Sequence, residues 1–210
     1  FLRTMSDSNP SIADRIVSIR EELPPEVTLV AVSKTKPNES IQDARETDQL
    51  DFGENRVQEL QEKEAALPKS IRWHQIGHLQ TNKVKAIVPF VHLIHAVDSE
   101  RLLVEIDRRA KNHGRTVDAL LQVHIAQEDM KFGWQAPDLT RFIEGNALAG
   151  LEHVRIRGLM GMATFTPDHQ QVAREFKGLR LLYESLLDSN PSWDTLSMGM
   201  SGDWRIAIDE

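Results

Sequence analysis

Two stretches of the sequence carry residues able to do chemistry, and each lies where a strand gives way to a loop. Lys34 closes the apolar run VTLVAVS (residues 27–33), in phase with Val30 and Val32. If that run is a buried strand, Lys34 points inward with those valines, where an ammonium group is costly. Burial lowers a lysine pKa, and the neutral amine that results is the nucleophile that attacks an aldehyde. A lysine that has merely left the strand and reached solvent fits the same position, so Lys34 needs outside support. Lys36 competes from two residues on, but Pro37 follows it and draws it into the loop. The second stretch is LSMGMSGD (residues 196–203), between a strand and the last helix. Its small residues, Gly202 among them, let backbone approach a ligand, Ser197 and Ser201 bring hydroxyls, and the helix start brings free N–H groups. Those are the parts of a phosphate site. A lysine on the first strand and a phosphate turn late in the chain would hold a phosphorylated aldehyde at both ends.

Placing these residues requires an alternation of strands and helices, and the hydrophobic pattern supplies one. A helix over residues 12–22 is closed by Leu23-Pro24-Pro25, since proline cannot continue it. The almost wholly apolar run 27–33 then suits a parallel strand buried on both faces. Further strands are expected over 50–53, 72–77, 91–97, 117–125, 154–162 and 195–197. Helices are expected between them over 40–47, 55–67, 81–88, 99–113, 137–148 and 168–187. Asp98-Ser99 and Pro167-Asp168 give helix caps. Such β-α repetition fits a parallel barrel or a doubly wound sheet. The first strand runs into Lys34-Thr35-Lys36-Pro37, not a glycine-rich dinucleotide fingerprint, which favours the barrel. The expected fold is therefore a single-domain α/β barrel of the TIM (β/α)8 type with an extra N-terminal helix. The eighth strand is absent from the chain as given, which stops at Glu210 where that strand should begin. Residues 6–210 are expected to form the domain, with Phe1-Leu2-Arg3-Thr4 a leader ahead of a native start at Met5.

Composition narrows the partners. The 210 residues suffice for one sizeable core, and 40% hydrophobic with 27% charged residues is ordinary for a soluble domain. A net charge of -7 without a basic block argues against nucleic acid or an anionic membrane. No apolar run approaches the roughly 18 residues that span a bilayer. The absence of cysteine removes disulfide and thiolate chemistry and fits a reducing cytoplasm, the expected location. A monomer is the expected state, because no sustained exposed apolar stripe is evident.

The remaining candidates read as structural. His74 and His78 stand four apart, but Ile76-Gly77 reads as a strand end between them and no acidic ligand partners them, so no metal site is expected. His92, His95, His113, His124, His153 and His169 carry no context and read as structural or exposed. Lys131 and Gly133 stand after the fifth strand, where a loop lysine is usually solvated. Met160, Met162, Met198 and Met200 suit packing around a barrel mouth. Tyr183, the only tyrosine, shares a helical stripe with Val172, Phe176, Leu179 and Leu186, which makes it a packing residue and a poor acid or base.

Five motifs in order, AVSKTKP (31–37), DFGEN (51–55), HQIGHLQTNK (74–83), RGLMGM (157–162) and LSMGMSGD (196–203), resemble the pyridoxal phosphate homeostasis protein family. The resemblance runs from about Val27 to the end. It implies a barrel like the amino-terminal domain of alanine racemase, with pyridoxal 5′-phosphate (PLP) bound as a Schiff base to the first lysine of AVSKTKP, here Lys34. It implies phosphate contacts from the turn holding Ser201 and Gly202, and puts Asn55 and His74 near the cofactor. It also gives Lys131 and Gly133 the place of a Lys-x-Gly-aromatic element. The family continues into a last strand with an Arg-Ile-Gly-Thr-like motif that the chain as given does not include. Two functions then compete. A racemase-like enzyme of the alanine racemase type needs a second domain with a catalytic tyrosine. A carrier or regulator of intracellular PLP, in transient contact with PLP-dependent apoenzymes, does not. The expectation is the carrier, with no catalytic residue assigned. A Schiff-base aldolase on a barrel would use Lys34 but leave the five motifs unexplained.

Overall fold

The computed structural model describes residues 10–127 and 132–210. The proposed leader and Lys131 lie outside them. The chain opens with α1 (Ile12–Glu22), started by a reciprocal cap in which Ser11 and Asp14 satisfy each other's backbone N–H groups. Strand and helix then alternate: β1 (Ala31–Val32), α2 (Asn38–Arg45), β2 (Asp51–Glu54), α3 (Val57–Ala66), β3 (Arg72–Gln75), α4 (Val84–Ile87), β4 (Leu93–Val97), α5 (Glu100–Asn112) and β5 (Val117–Val123). They are followed by α6 (Ala136–Glu144), β6 (Val154–Gly161), α7 (His169–Leu187), β7 (Thr195–Ser197) and α8 (Trp204–Asp209). All seven strands are parallel and stand in sequence order. That order, with a helix after each strand, is the (β/α) barrel winding. Ser99 and Asp168 cap α5 and α7 as expected.

The first strand departs from expectation. Only Ala31 and Val32 pair with β2, and Val27 and Val32 are 40% and 50% exposed. β1 and β7 are the two edges of the sheet among the described residues, so β1 has a neighbour on one side only. An apolar run becomes a strand only as far as a partner pairs with it.

The sheet has two differently used faces. Phe52, Trp73, Ile94, Leu121, Val123 and Leu159 pack outward against the helices in one continuous core. Leu93, Leu120 and Met160 form a separate cluster inside the curl. Charged pairs lie at the amino ends of the strands: Arg72 holds Asp51, while Arg155 and Arg157 share Asp118, and Arg157 reaches Asp194. No helix among the described residues is long and apolar enough to cross a membrane.

Candidate functional site

Lys34 stands at the carboxyl end of β1, where function gathers in barrels of this winding. Ser33 faces α3, so alternation turns Val32 to the inner side, and Lys34 follows it into a turn. It is exposed there, not desolvated as the sequence suggested. The structure instead immobilises the backbone on both sides of it. Lys63, buried on α3, donates to Ser33 O at 2.7 Å, Glu54 Oε1 at 2.7 Å and Glu59 Oε1 at 2.6 Å. Ser33 Oγ donates to the same Glu54 oxygen at 2.6 Å, and Thr35 N–H donates to Glu59. Thr35 has φ 63°, a left-handed conformation that a β-branched residue adopts only when held. The three ammonium hydrogens of Lys63 are thus all used in fixing the turn. Burial pushes the Glu54 carboxyl up, against the hydrogen bonds from Lys63 and Ser33. The Lys34 side chain has no hydrogen bond or ion pair among the described residues. Lys36 is exposed in the same loop.

Asn55 follows β2, and its carbonyl accepts from Gln75 Nε2 at 3.0 Å. Gly77 packs directly on it: a Cβ at Gly77 would lie 2.7 Å from Asn55 O and 2.8 Å from Asn55 Cα. Only glycine lets β3 leave the sheet this close to Asn55.

His74 and Ser197 are brought together through a residue that the sequence reading set aside. His74 Nε2 lies 3.0 Å from Asp51 Oδ1, His74 Nδ1 lies 2.8 Å from His95 Nε2, and His95 Nδ1 lies 2.8 Å from Ser197 Oγ. The chain crosses the inside of the barrel from β2 to β7. Burial, with His74 and His92 adding to it, lowers the His95 pKa to about 3. Burial pushes Asp51 up, but hydrogen bonds from Arg72 and His74 overcome it and hold the carboxyl well below the usual carboxylate range. His95 is therefore neither isolated nor exposed. In sequence it is a lone histidine in an apolar strand, and nothing there signals partners 21 and 102 residues away.

Ser201 and Gly202 sit in the exposed turn after β7, with no hydrogen bond to the histidine chain. Asp203 caps this turn by accepting the Met200 N–H. Gly199, at φ 86°, touches α8 so closely that a Cβ would lie 3.0 Å from Ala207 Cβ and from Trp204 Cα. His78 points away from His74: its Nδ1 lies 2.8 Å from Asp98 Oδ2 and its ring stacks on Phe132 at 3.9 Å. Asp51, His74 and His92 bring three possible ligand atoms within 4.8 Å of one another. The Arg72 guanidinium already bound to Asp51 opposes a second cation there. Gly133, at φ 133°, lies against His124, 2.7 Å from its amide for an added Cβ, and so serves backbone packing. Tyr183 stacks on Trp193 with centroids 6.2 Å apart. A Cβ at Gly158 would come 3.0 Å from its ring, so the tyrosine packs on the sheet as the helical stripe predicted.

The parallel strands in sequence order, each followed by a helix, define the fold class, and the comparisons agree with it. Residues 9–208 match the family model described as "Alanine racemase, N-terminal domain". Alanine racemase from Clostridium difficile has the same fold, with TM-score 0.76 at 13% identity over 94% of this chain and 54% of that one. Closer relatives give the particular group. A pyridoxal phosphate homeostasis protein from Aquifex aeolicus is 37% identical over 184 residues, 87% of this chain and 80% of its own. PipY of Synechococcus elongatus, in a structure described as having PLP bound, aligns with TM-score 0.87 and 38% identity over 95% of this chain and 94% of its own. The chain belongs to the pyridoxal phosphate homeostasis protein family.

Proposed function

We propose that this chain binds PLP as a Schiff base on Lys34 and serves intracellular vitamin B6 homeostasis as a carrier or regulator without robust catalysis. The observation that carries the reading is the presentation of Lys34. Its flanking backbone is clamped by Lys63, Glu54 and Glu59, while its own amine is unpaired among the described residues and open to solvent. When bound, the cofactor supplies an aldehyde that this amine can take up reversibly. Ser197, with Ser201 and Gly202, is the phosphate side of the reading, and Asn55 and His74 flank the ring. PipY, which shares this fold, has been described with PLP bound. Residues 6–210 act as one barrel domain, a monomer in the cytoplasm that meets PLP-dependent apoenzymes transiently. The lack of cysteine suits that compartment.

Borohydride reduction of the purified, PLP-loaded protein tests the assignment. The cofactor mass is expected on the peptide carrying Lys34, and Lys34→Ala removes the visible absorbance. Label found only on Lys36 refutes it. Incubation with L-amino acids is expected to yield no enzyme-dependent D-isomer; robust turnover abolished by Lys34→Ala would overturn the carrier reading.

A further inference from the structure

Asp51, His74 and His95 are 6%, 4% and 4% exposed, and they join the charged lower end of the barrel to Ser197 without any contact that holds Lys34. Each imidazole has both ring nitrogens engaged, so the hydrogen positions are linked from one end to the other. Asp51, ionised beside Arg72, can only accept, so His74 Nε2 donates to it. With His74 neutral, its Nδ1 is a lone pair and accepts from His95 Nε2–H. His95 Nδ1 is then a lone pair in its turn and accepts the Ser197 hydroxyl hydrogen. In that state Ser197 offers a ligand lone pairs alone.

An anion needs the opposite. For Ser197 to donate outward, its oxygen must accept from His95 Nδ1–H. His95 Nε2 then accepts from His74 Nδ1–H, and His74 carries a hydrogen on both nitrogens. One proton has come from solvent, and no bond in the chain is lost. Turning the hydroxyl away without that proton would strand the His95 Nδ1 lone pair in the interior, which is the costly outcome.

We propose that capture of a phosphate group by Ser197 is coupled to the uptake of one proton by the Asp51–His74–His95 chain. The inference rests on the reading of Ser197 as a phosphate contact, and adds what that contact costs. The charged and titratable groups around the chain come from every strand that faces it. Asp51 on β2 and Arg72 on β3 pair with each other, and the His92 ring ahead of β4 lies 5.3 Å from His74. Asp118 on β5 acts on His92 and is held by Arg155 and Arg157 of β6. Burial disfavours a charge on His95, and His74 is the ring in direct contact with the Asp51 carboxylate.

The test compares PLP with pyridoxal, which lacks the phosphate, across about pH 7 to 9, where a phosphate monoester is already largely the dianion. Dividing one affinity by the other removes the titration of Lys34. The advantage of PLP over pyridoxal is expected to fall with rising pH by up to about tenfold per unit, the slope of one linked proton. Calorimetry in buffers of different ionisation enthalpy should count up to about one proton taken up with PLP beyond that with pyridoxal. His74→Asn is expected to flatten the slope, because an amide turns from acceptor to donor without gaining charge. Ser197→Ala weakens PLP binding and flattens the slope as well, and it serves if His74→Asn fails to fold. Tight PLP binding by the native chain with a flat slope overturns the coupling and leaves the cofactor reading standing. A slope unchanged in a folded variant also overturns it. Failure of the native chain to bind PLP or to take borohydride label overturns the cofactor reading, and the coupling with it.

Discussion

Lys63→Met measures how firmly the turn of Lys34 is held. Lys63 Nζ is the sole cation bonded to Glu54 among the described residues, and the two side chains are 6% and 0% exposed. Removing one partner of a buried pair typically costs about 3–5 kcal/mol, because the other charge is left in the interior. Glu54 has one way to escape that cost, which is to take up a proton. From an unfolded pKa of about 4.3, neutralising it costs about 3.7 kcal/mol at pH 7 and about 1.6 kcal/mol at pH 5.5. Those figures cap its share. The folded-state pKa in the variant is raised above the unfolded value, so the folded state binds the extra proton and stability falls as pH rises. The variant should therefore be about 3–5 kcal/mol less stable than the native chain at pH 7 and recover roughly 2 kcal/mol at pH 5.5. Urea titration read by the fluorescence of buried Trp73 and Trp193 gives both values, and the melting temperature should drop by about 6 to 20 °C. The double variant Lys63→Met/Glu54→Gln should lose most of the pH dependence. A loss below about 1 kcal/mol, or one equal at the two pH values, would refute the buried-pair account.

Two further substitutions probe the other ends of the site. Gly77→Ala forces a Cβ to within 2.7 Å of Asn55 O, so the strand end must shift. A loss of about 1–3 kcal/mol in thermal unfolding is expected, with weaker PLP binding. Arg72→Ala removes the cation that helps hold the Asp51 carboxyl down. A carboxyl depressed in the folded state contributes stability above its unfolded pKa of about 3.9 and loses it as pH falls through the folded value. The native chain should hence exceed the variant by a constant margin above about pH 5, a margin that narrows below about pH 4 in acid titrations followed by circular dichroism.

The barrel was legible because its signal is local. Apolar runs of strand length recur between stretches with helical spacing, and the bounds expected for α1 and β7 coincide with those observed. The run at residues 27–33 misled for a physical reason: apolarity shows that a segment could be buried, whereas pairing requires a neighbour, and β1 has one on a single side. Lys63 left a readable trace. It falls between Leu60 and Leu67 on the inward stripe of α3, a place for an apolar residue, with Glu59 four residues before it. A lysine there has to find a buried acceptor. His95 left no such trace, since its partners come from the neighbouring β3 and from β7, which only the curl of the sheet brings near.

The arrangement of titratable groups also bears on the choice between holding the cofactor and using it. Proton transfer at a substrate carbon needs a base aimed at the reacting atom, with a hydrogen-bonding site left free for it. His74 and His95 have both nitrogens committed to each other, to Asp51 and to Ser197, so neither offers a lone pair to the mouth while the chain is intact. Tyr183 is packed against Trp193 on the helix side of the sheet. Lys34 meets solvent, so an imine formed there, as proposed, would stand open to water, which favours hydrolysis and exchange over a protected turnover. Each of these features weakens catalysis and helps release. Under the proposals made for Lys34 and Ser197, a rigid backbone beneath an exposed lysine would favour recapture of the aldehyde, and a phosphate contact coupled to a proton would make the other end of the grip adjustable. On the two proposals together, affinity depends on the hydrogen at Ser197 as well as on the Lys34 amine, and the chain from Asp51 to His95 links that hydrogen to a proton from solvent.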